Sequence, residues 1–242
     1  MIMDHTIELM RYCKSIGLDL AGVADLAPFK AEKACFPENL LDDYTFAVSV
    51  GIRLDDEVLN VMTDRPTPRY DALYQDVNAR LDAAAENVVQ WIRGKGCKAL
   101  AIPASKILDA SRRHGSISHK AIGHAAGLGW QGKSLLLVNP DLGPRFRLAS
   151  ILTDLDLTPG VPVKNQCGSC HACADACPAR AIKNVSTKDR YATCEEAVDL
   201  DKCNRQLNEF GKLPGISHSV CGVCVIACPF GKKTRKKLSH GK

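Results

Sequence analysis

The sequence predicts an α+β chain in two consecutive parts: a sandwich of helices against a sheet over residues 1–155, and a small cysteine-built domain over residues 156–232. A basic tail follows at 233–242. Three observations carry this. Short β-prone runs alternate with helical repeats through the first part. Nine of the twelve cysteines fall between Cys167 and Cys228, with only Cys13, Cys35 and Cys97 outside. The net charge of +5 owes its excess to Lys232, Lys233, Arg235, Lys236, Lys237 and Lys242, which leave the body close to neutral.

Taken in order, Asp4 to Ile16 repeats apolar residues at helical spacing (Leu9, Cys13, Ile16), and Gly17 follows where a helix stops. Leu20 to Val23 and Phe46 to Val50 are β-prone runs bounded by turn residues. Tyr70 to Arg93 is the clearest helix, because Leu73, Val77, Leu81, Ala84, Val88 and Ile92 advance by threes and fours, opposite a charged face. Leu100 to Ile102 reads as a strand ended by Pro103, and His119 to Ala126 as a helix ended by Gly127. Ser134 to Val138 and Phe146 to Thr153 complete the strands.

At 242 residues the chain is long enough to bury a core, and 45% apolar with 24% charged residues excludes a disordered polypeptide. No apolar run approaches the ~18 residues of a membrane helix. Asp4 and Glu8 interrupt the stretch where a signal peptide needs unbroken apolar residues, so the expected location is the cytoplasm, away from membranes. The tail has the charge to touch RNA, although a solvated terminus is the plainer reading.

Dense cysteine in such a compartment points to metal rather than disulfides. Cys167, Cys170, Cys173 and Cys177, followed by Pro178, form C-x2-C-x2-C-x3-C-P, the spacing of a [4Fe-4S] ferredoxin loop whose fourth cysteine serves the other cluster. Cys221, Cys224 and Cys228, followed by Pro229, form a second motif one ligand short. Two cubanes need eight thiolates, so one upstream cysteine is required. With crossing over, Cys167, Cys170, Cys173 and Cys228 hold one cluster, and Cys177, Cys221, Cys224 and one more hold the other. Cys203 is chosen, after the helix start Leu200-Asp201-Lys202; Cys194, beside Glu195 and Glu196, is the substitute. Structural zinc also takes four thiolates, but the x2 spacings closed by Cys-Pro are those of the iron–sulfur loop. Two neighbouring clusters make a path for single electrons.

Gly127, Gly129 and Gly132 match G-x-G-x-x-G formally but follow a helix, whereas a dinucleotide fingerprint follows a strand. They serve either a helix-to-strand corner or the close approach of something else. His119 and His124, five apart, do not share a helical face and are expected to be satisfied or solvent-facing histidines rather than a zinc pair. Cys13, Cys35 and Cys97 are expected to be ordinary buried cysteines.

The segment AGLGWQGK, the strand pair ending in Thr153-Asp154 and the two cysteine motifs together resemble the epoxyqueuosine reductase family. GLDLAGVADL near Gly17 and PRYDALYQDVNARL near Tyr70 extend the resemblance over nearly the whole chain. It implies a nitroreductase-like α/β sandwich followed by a two-cluster bacterial-ferredoxin-like domain, with cobalamin above two [4Fe-4S] clusters, as in the related reductive dehalogenases. By the same resemblance Gly127, Gly129, Trp130, Gly132, Lys133 and Ser134 contact the corrin, with Asn139 and Arg145 as further candidates. Tyr74 matches the family's helix tyrosine and is a candidate proton donor. The family's catalytic aspartate has no counterpart in Ala101 to Ser105. About ten extra residues follow from Lys106, and His114 or Asp109 there would substitute. The expected function is reduction of an unassigned substrate by cobalamin fed through two clusters from an external low-potential donor such as ferredoxin or flavodoxin. The substrate would be a small molecule or a corrinoid protein. Because no helical-repeat extension follows the second motif, tRNA is not expected as a partner. The alternatives are an activator that reduces a partner's corrinoid, or a ferredoxin-type carrier with a flavin-binding or empty front domain.

Overall fold

The structure is a computed structural model that describes residues 5–32, 35–105 and 115–232. Asp109, His114 and the tail beyond Lys232 lie outside the described residues. The chain forms two compact units, and each draws on three stretches. Of the described residues, one takes those up to Ile52, Val77–Leu128 and Arg147–Val163; the other takes Arg53–Asp76, Gly129–Phe146 and those from Lys164 on. The division expected near residue 155 follows cysteine content, whereas compactness interleaves the two units along the chain.

The first unit begins with α1 (His5–Ser15), which buries Leu9 and Cys13, and leads through Gly17 at φ 85° into β1 (Leu20–Asp25). A short helix, α2 (Ala27–Ala31), precedes β2 (Phe46–Arg53). After α3 (Asp56–Asn60) comes α4 (Pro68–Arg93), whose residues Val77, Leu81, Ala84, Val88 and Ile92 are buried as the periodicity predicts. Then follow β3 (Ala99–Ile102), α5 (His119–Ala125), the two-residue strands β4 (Trp130–Gln131) and β5 (Leu137–Val138), which like α3 belong to the second unit, and β6 (Phe146–Thr153). The main sheet has the order β1-β2-β6-β3. β1 runs antiparallel to β2 with Val23 opposite Val48, and β3 antiparallel to β6 with Ala101 opposite Ile151. The two inner strands are buried along nearly their whole length, which is why FAVSV and FRLASILT lack polar alternation.

One expected strand is shorter than predicted. Of Ser134 to Val138 only Leu137 and Val138 pair, because Leu135 sits at φ 63° and its N–H donates to the Gly132 carbonyl at 2.8 Å, closing a turn. The second unit continues with α6 (Ala172–Ala176), α7 (Cys194–Ala197), α8 (Leu200–Phe210) and α9 (Val223–Ala227). Among the described residues no helix is long and apolar enough to cross a membrane.

His119, at the start of α5, is a satisfied histidine. Its Nε2 stands 3.1 Å from the Pro103 carbonyl, which only accepts, so Nε2 carries the proton and Nδ1 accepts from the Ser150 hydroxyl at 2.9 Å. Burial lowers its pKa to about 4; the Pro103 carbonyl opposes this, and Arg147 and Lys120 add to it. The imidazole is thus neutral when folded, while the unfolded side chain takes a proton near pH 6.5. Stability is full above that value and falls as pH drops from 6.5 towards 4, by about 3 kcal/mol, because only the unfolded chain gains the proton in this window. Urea unfolding between pH 7 and 4.5 is expected to show this slope, and His119→Gln to flatten it; an equal slope in both proteins would count against a buried neutral imidazole.

Candidate iron–sulfur centre

The second unit is organised by two short helices, each set inside one cysteine motif. α6 lies between Cys170 and Cys177 and carries Cys173; α9 lies between Cys221 and Cys228 and carries Cys224. The two helices pack against each other. Gly222, at φ 78°, begins α9, and a Cβ there would meet the Tyr70 ring at 2.8 Å, so the turn into the helix requires glycine.

This pairing sorts the thiols. Burial raises the pKa of Cys228 to about 11, and the charges that add to the rise are those of Cys167, Cys173 and Cys170. Burial raises Cys221 to about 11 as well, with Cys203 and Cys177 as the facing charges. Cys224, raised still further by burial, faces Cys221, Cys203, Cys173 and Cys177. Cys228 thus lies within electrostatic reach of Cys167, Cys170 and Cys173, and Cys221 of Cys177 and Cys203, while Cys224 is reached from both motifs. Cys194 opens α7 and packs on a small apolar cluster of Leu135, Ala181, Tyr191, Ala197 and Val198, against which Cys177 and Cys203 also pack. Among the described residues no three Cys, His, Asp or Glu side chains stand close enough to share a single metal ion. The grouping therefore rests on which thiols lie within electrostatic reach of one another. A cubane spreads its four ligands around four irons, whereas one zinc ion needs every sulfur about 2.3 Å away.

The glycine-rich segment lies against the first cysteine loop. Trp130 Nε1 donates to Cys167 Sγ at 3.4 Å, and Lys133 Nζ donates to the Cys170 carbonyl at 2.8 Å. Asn165 joins the two pieces: its Nδ2 donates to the Gln131 carbonyl at 2.9 Å and its Oδ1 accepts from Cys167 N–H at 2.8 Å. The side-chain oxygen of Gln131 accepts from Tyr191 N–H at 3.0 Å. The close approaches at the glycines are filled by the chain itself. A Cβ at Gly129 would lie 2.2 Å from the Val138 carbonyl oxygen, and one at Gly127, where φ is 76°, would lie 2.8 Å from that of Val161.

The other predicted positions are distributed as follows. Ser134 is half-buried in the turn between β4 and β5. Asn139 Oδ1 accepts from the N–H groups of Asp141 and Leu142, at 2.9 and 3.0 Å, and shapes the turn after β5. Arg145 is 2% exposed; its Nη1 donates to Asp56 at 2.8 Å and to Asn60 at 3.3 Å, beside a cavity of ≈ 530 Å³. Tyr74 is half-buried on α4. Two contributors escaped sequence reasoning. Asp71, 5% exposed, accepts from Ser217 N–H at 2.9 Å and pairs with His218 Nδ1 at 3.2 Å, so it ties down the stretch leading to Cys221. Its signal was an acid in the first turn of an amphipathic helix, which is indistinguishable from ordinary dipole complementarity. Asn165 is the other, marked only by standing two residues before a ligand motif.

Comparison with known proteins agrees with this centre. Residues 166–231 match the model of a 4Fe-4S double cluster binding domain. The epoxyqueuosine reductase of Bacillus subtilis (strain 168) is 37% identical over 93% of this chain and 63% of its own length. That of Gloeobacter violaceus is 31% identical over 68% of this chain and 50% of its own. Among solved structures, a catabolic reductive dehalogenase superposes with TM-score 0.71 at 19% identity, over 92% of this chain and 31% of that one. An epoxyqueuosine reductase holding an epoxyqueuosine-modified tRNA stem loop superposes with TM-score 0.63 at 21% identity, over 93% of this chain and 65% of that one.

Fold and site thus define a double-cluster iron–sulfur protein. The chain is similar to the epoxyqueuosine reductases and spans about half to two-thirds of the length of these curated relatives. The expectation against tRNA loses its support, because a protein of the same fold was solved with a tRNA stem loop.

Asn165 is the hinge between glycine segment and cysteine loop. Asn165→Ala removes both of its hydrogen bonds and is expected to cost about 2 kcal/mol; Asn165→Asp keeps the acceptor for Cys167 and is expected to cost about half as much. Anaerobic denaturant unfolding of the iron-loaded proteins measures both, and equal stability of all three would refute the role.

Proposed function

We propose that this chain is a reductase that passes single electrons through two [4Fe-4S] clusters to bound cobalamin. Cys167, Cys170, Cys173 and Cys228 hold one cluster, and Cys177, Cys203, Cys221 and Cys224 the other. One observation supports the reading: Cys228 of the second motif lies within electrostatic reach of Cys167, Cys170 and Cys173 of the first, and Cys221 within reach of Cys177, as the ligand exchange of a two-cluster ferredoxin requires. The donor set fits the clusters chemically, since it supplies eight sulfurs and N–H donors aimed at them, from Trp130 to Cys167 and from Ala181 to Cys177.

Cobalamin rests on the relatives, one of which was described as dehalogenating by a B12-dependent mechanism. The glycines are occupied by the chain's own backbone, so they lend it no separate support. When bound, it would supply a low-valent cobalt nucleophile. The chain's own contribution is delivery of electrons and of a proton, for which Tyr74 is the candidate donor and His114 a second. Residues 1–155 would form the nitroreductase-like catalytic part and 156–232 the electron-delivering part. The substrate class is the epoxide of a modified tRNA nucleoside, as the relatives' names and the tRNA stem-loop structure suggest. The electron donor is a ferredoxin or flavodoxin, and the setting is the cytoplasm.

Anaerobic reconstitution is expected to load about eight irons and eight sulfides per chain. Cys203→Ser is expected to lose about half of them and Cys194→Ser none; the reverse pattern, or zinc in place of iron, would overturn the ligand assignment. Adding cobalamin to the loaded protein under reductant is expected to change its visible spectrum with a one-to-one endpoint. No change would remove cobalamin from the reading and leave an electron carrier.

A further inference from the structure

Trp130 and Lys133 carry more than packing can explain. The indole of Trp130 is 0% exposed and has one polar hydrogen, which it directs at Cys167 Sγ from 3.4 Å. Its ring is held in that attitude by the edge of Phe230, with centroids 4.9 Å apart and planes at 79°. Phe230 follows the Cys228-Pro229 end of the second motif, so the ring is clamped between the loop it donates to and the segment that brings the fourth thiol.

Lys133 is 6% exposed, and among the described residues its one polar partner is the Cys170 carbonyl at 2.8 Å. A buried ammonium without a carboxylate is costly unless negative charge stands nearby. The candidate source is the group of thiolates that includes Cys170 itself. Burial leaves little water to screen either interaction.

We propose that the β4–β5 hairpin sets the reduction potential of the cluster held by Cys167, Cys170, Cys173 and Cys228. Trp130 acts as the hydrogen-bond donor to a ligand sulfur and Lys133 as a fixed positive charge. The inference rests on the ligand assignment above. Reduction moves one electron from an added reductant into the cluster, with no bond made or broken, so the cluster and its sulfurs gain one negative charge. A donor and a cation beside those sulfurs stabilise the reduced state more than the oxidised one, and both raise the potential. Trp130 and Lys133 are positioning residues in this role, since they act through the ligands.

The test is an anaerobic dithionite titration of the iron-loaded full chain, followed by electron paramagnetic resonance. Trp130→Phe keeps the ring and removes the donor; Lys133→Gln removes the charge and Lys133→Arg restores it. At a fixed potential, Trp130→Phe and Lys133→Gln are each expected to lower the reduced-to-oxidised ratio of one cluster about tenfold, a midpoint drop of about 59 mV for one electron. The second cluster is expected to stay where it was, and Lys133→Arg to titrate like the parent. Unchanged midpoints at full iron content, or equal shifts in both clusters, would overturn the proposal. Loss of iron from both Trp130→Phe and Lys133→Gln would also overturn it, because the hairpin would then hold the loop without tuning it. If only Trp130→Phe loses iron, the comparison of Lys133→Gln with Lys133→Arg decides. Failure of the ligand assignment itself is distinguishable, since it appears as a parent chain that does not take up about eight irons.

Discussion

The packing of α6 on α9 is the constraint from which the iron–sulfur unit follows. Each helix is only five residues long and would not persist alone, since one turn of helix costs more to nucleate than its hydrogen bonds return. Together they bring the partly buried Cys173 and Cys224 within electrostatic reach of each other. Cys228 then comes within electrostatic reach of Cys167, Cys170 and Cys173, and Cys221 within reach of Cys177 and Cys203. Burial raises the pKa of Cys173, Cys221, Cys224 and Cys228, so these thiols keep their protons until a metal cluster displaces them.

Around this pair the remaining elements act as supports. The β4–β5 hairpin fastens to the first loop through Trp130, Gln131 and Lys133, with Asn165 bonded to both sides. α8, capped by Asp199 on Lys202 N–H at 3.0 Å, carries Cys203, whose charge reaches Cys221. The first turn of α4 anchors the approach to Cys221 through Asp71. The glycine-rich segment, read from its sequence as a surface for a flat cofactor, is in the structure a set of tight chain-to-chain contacts that aim an indole and an ammonium at a cysteine loop. Both descriptions need glycine, because both need backbone at distances that a Cβ forbids.

Much of the fold could be read from the chain. The stripe Val77, Leu81, Ala84, Val88 and Ile92 became the buried face of α4, and Phe146–Thr153 is the very span of β6. Where the reading slipped, at Ser134 to Leu136, the cause was a left-handed residue at Leu135, a conformation that leaves no compositional mark when leucine adopts it. α3 was not foreseen because five residues are too few for a periodicity, although Asp55 caps it by accepting from Glu57 N–H. Within the candidate site the motif cysteines were legible from spacing alone. The choice between Cys203 and Cys194 rests on charge in the sequence; in the structure both pack on the Tyr191 and Ala197 cluster, and it is Cys203 whose charge reaches Cys221.

Sequence by itself determined what repeats at short range: the period of α4, the buried runs of β2 and β6, and the C-x2-C spacing that lets one loop wrap a cluster. These depend on neighbours a few residues apart, so the order of residues encodes them directly. Tertiary structure decided the rest: that Cys228 comes within electrostatic reach of Cys167, that Trp130 answers to Cys167 across 37 positions, and that Asp71 answers to Ser217 across 146. Such pairings form only once the chain has closed long loops and excluded water. Their energy comes from burial and from the partner found there, and neither is a property of the residues along the line.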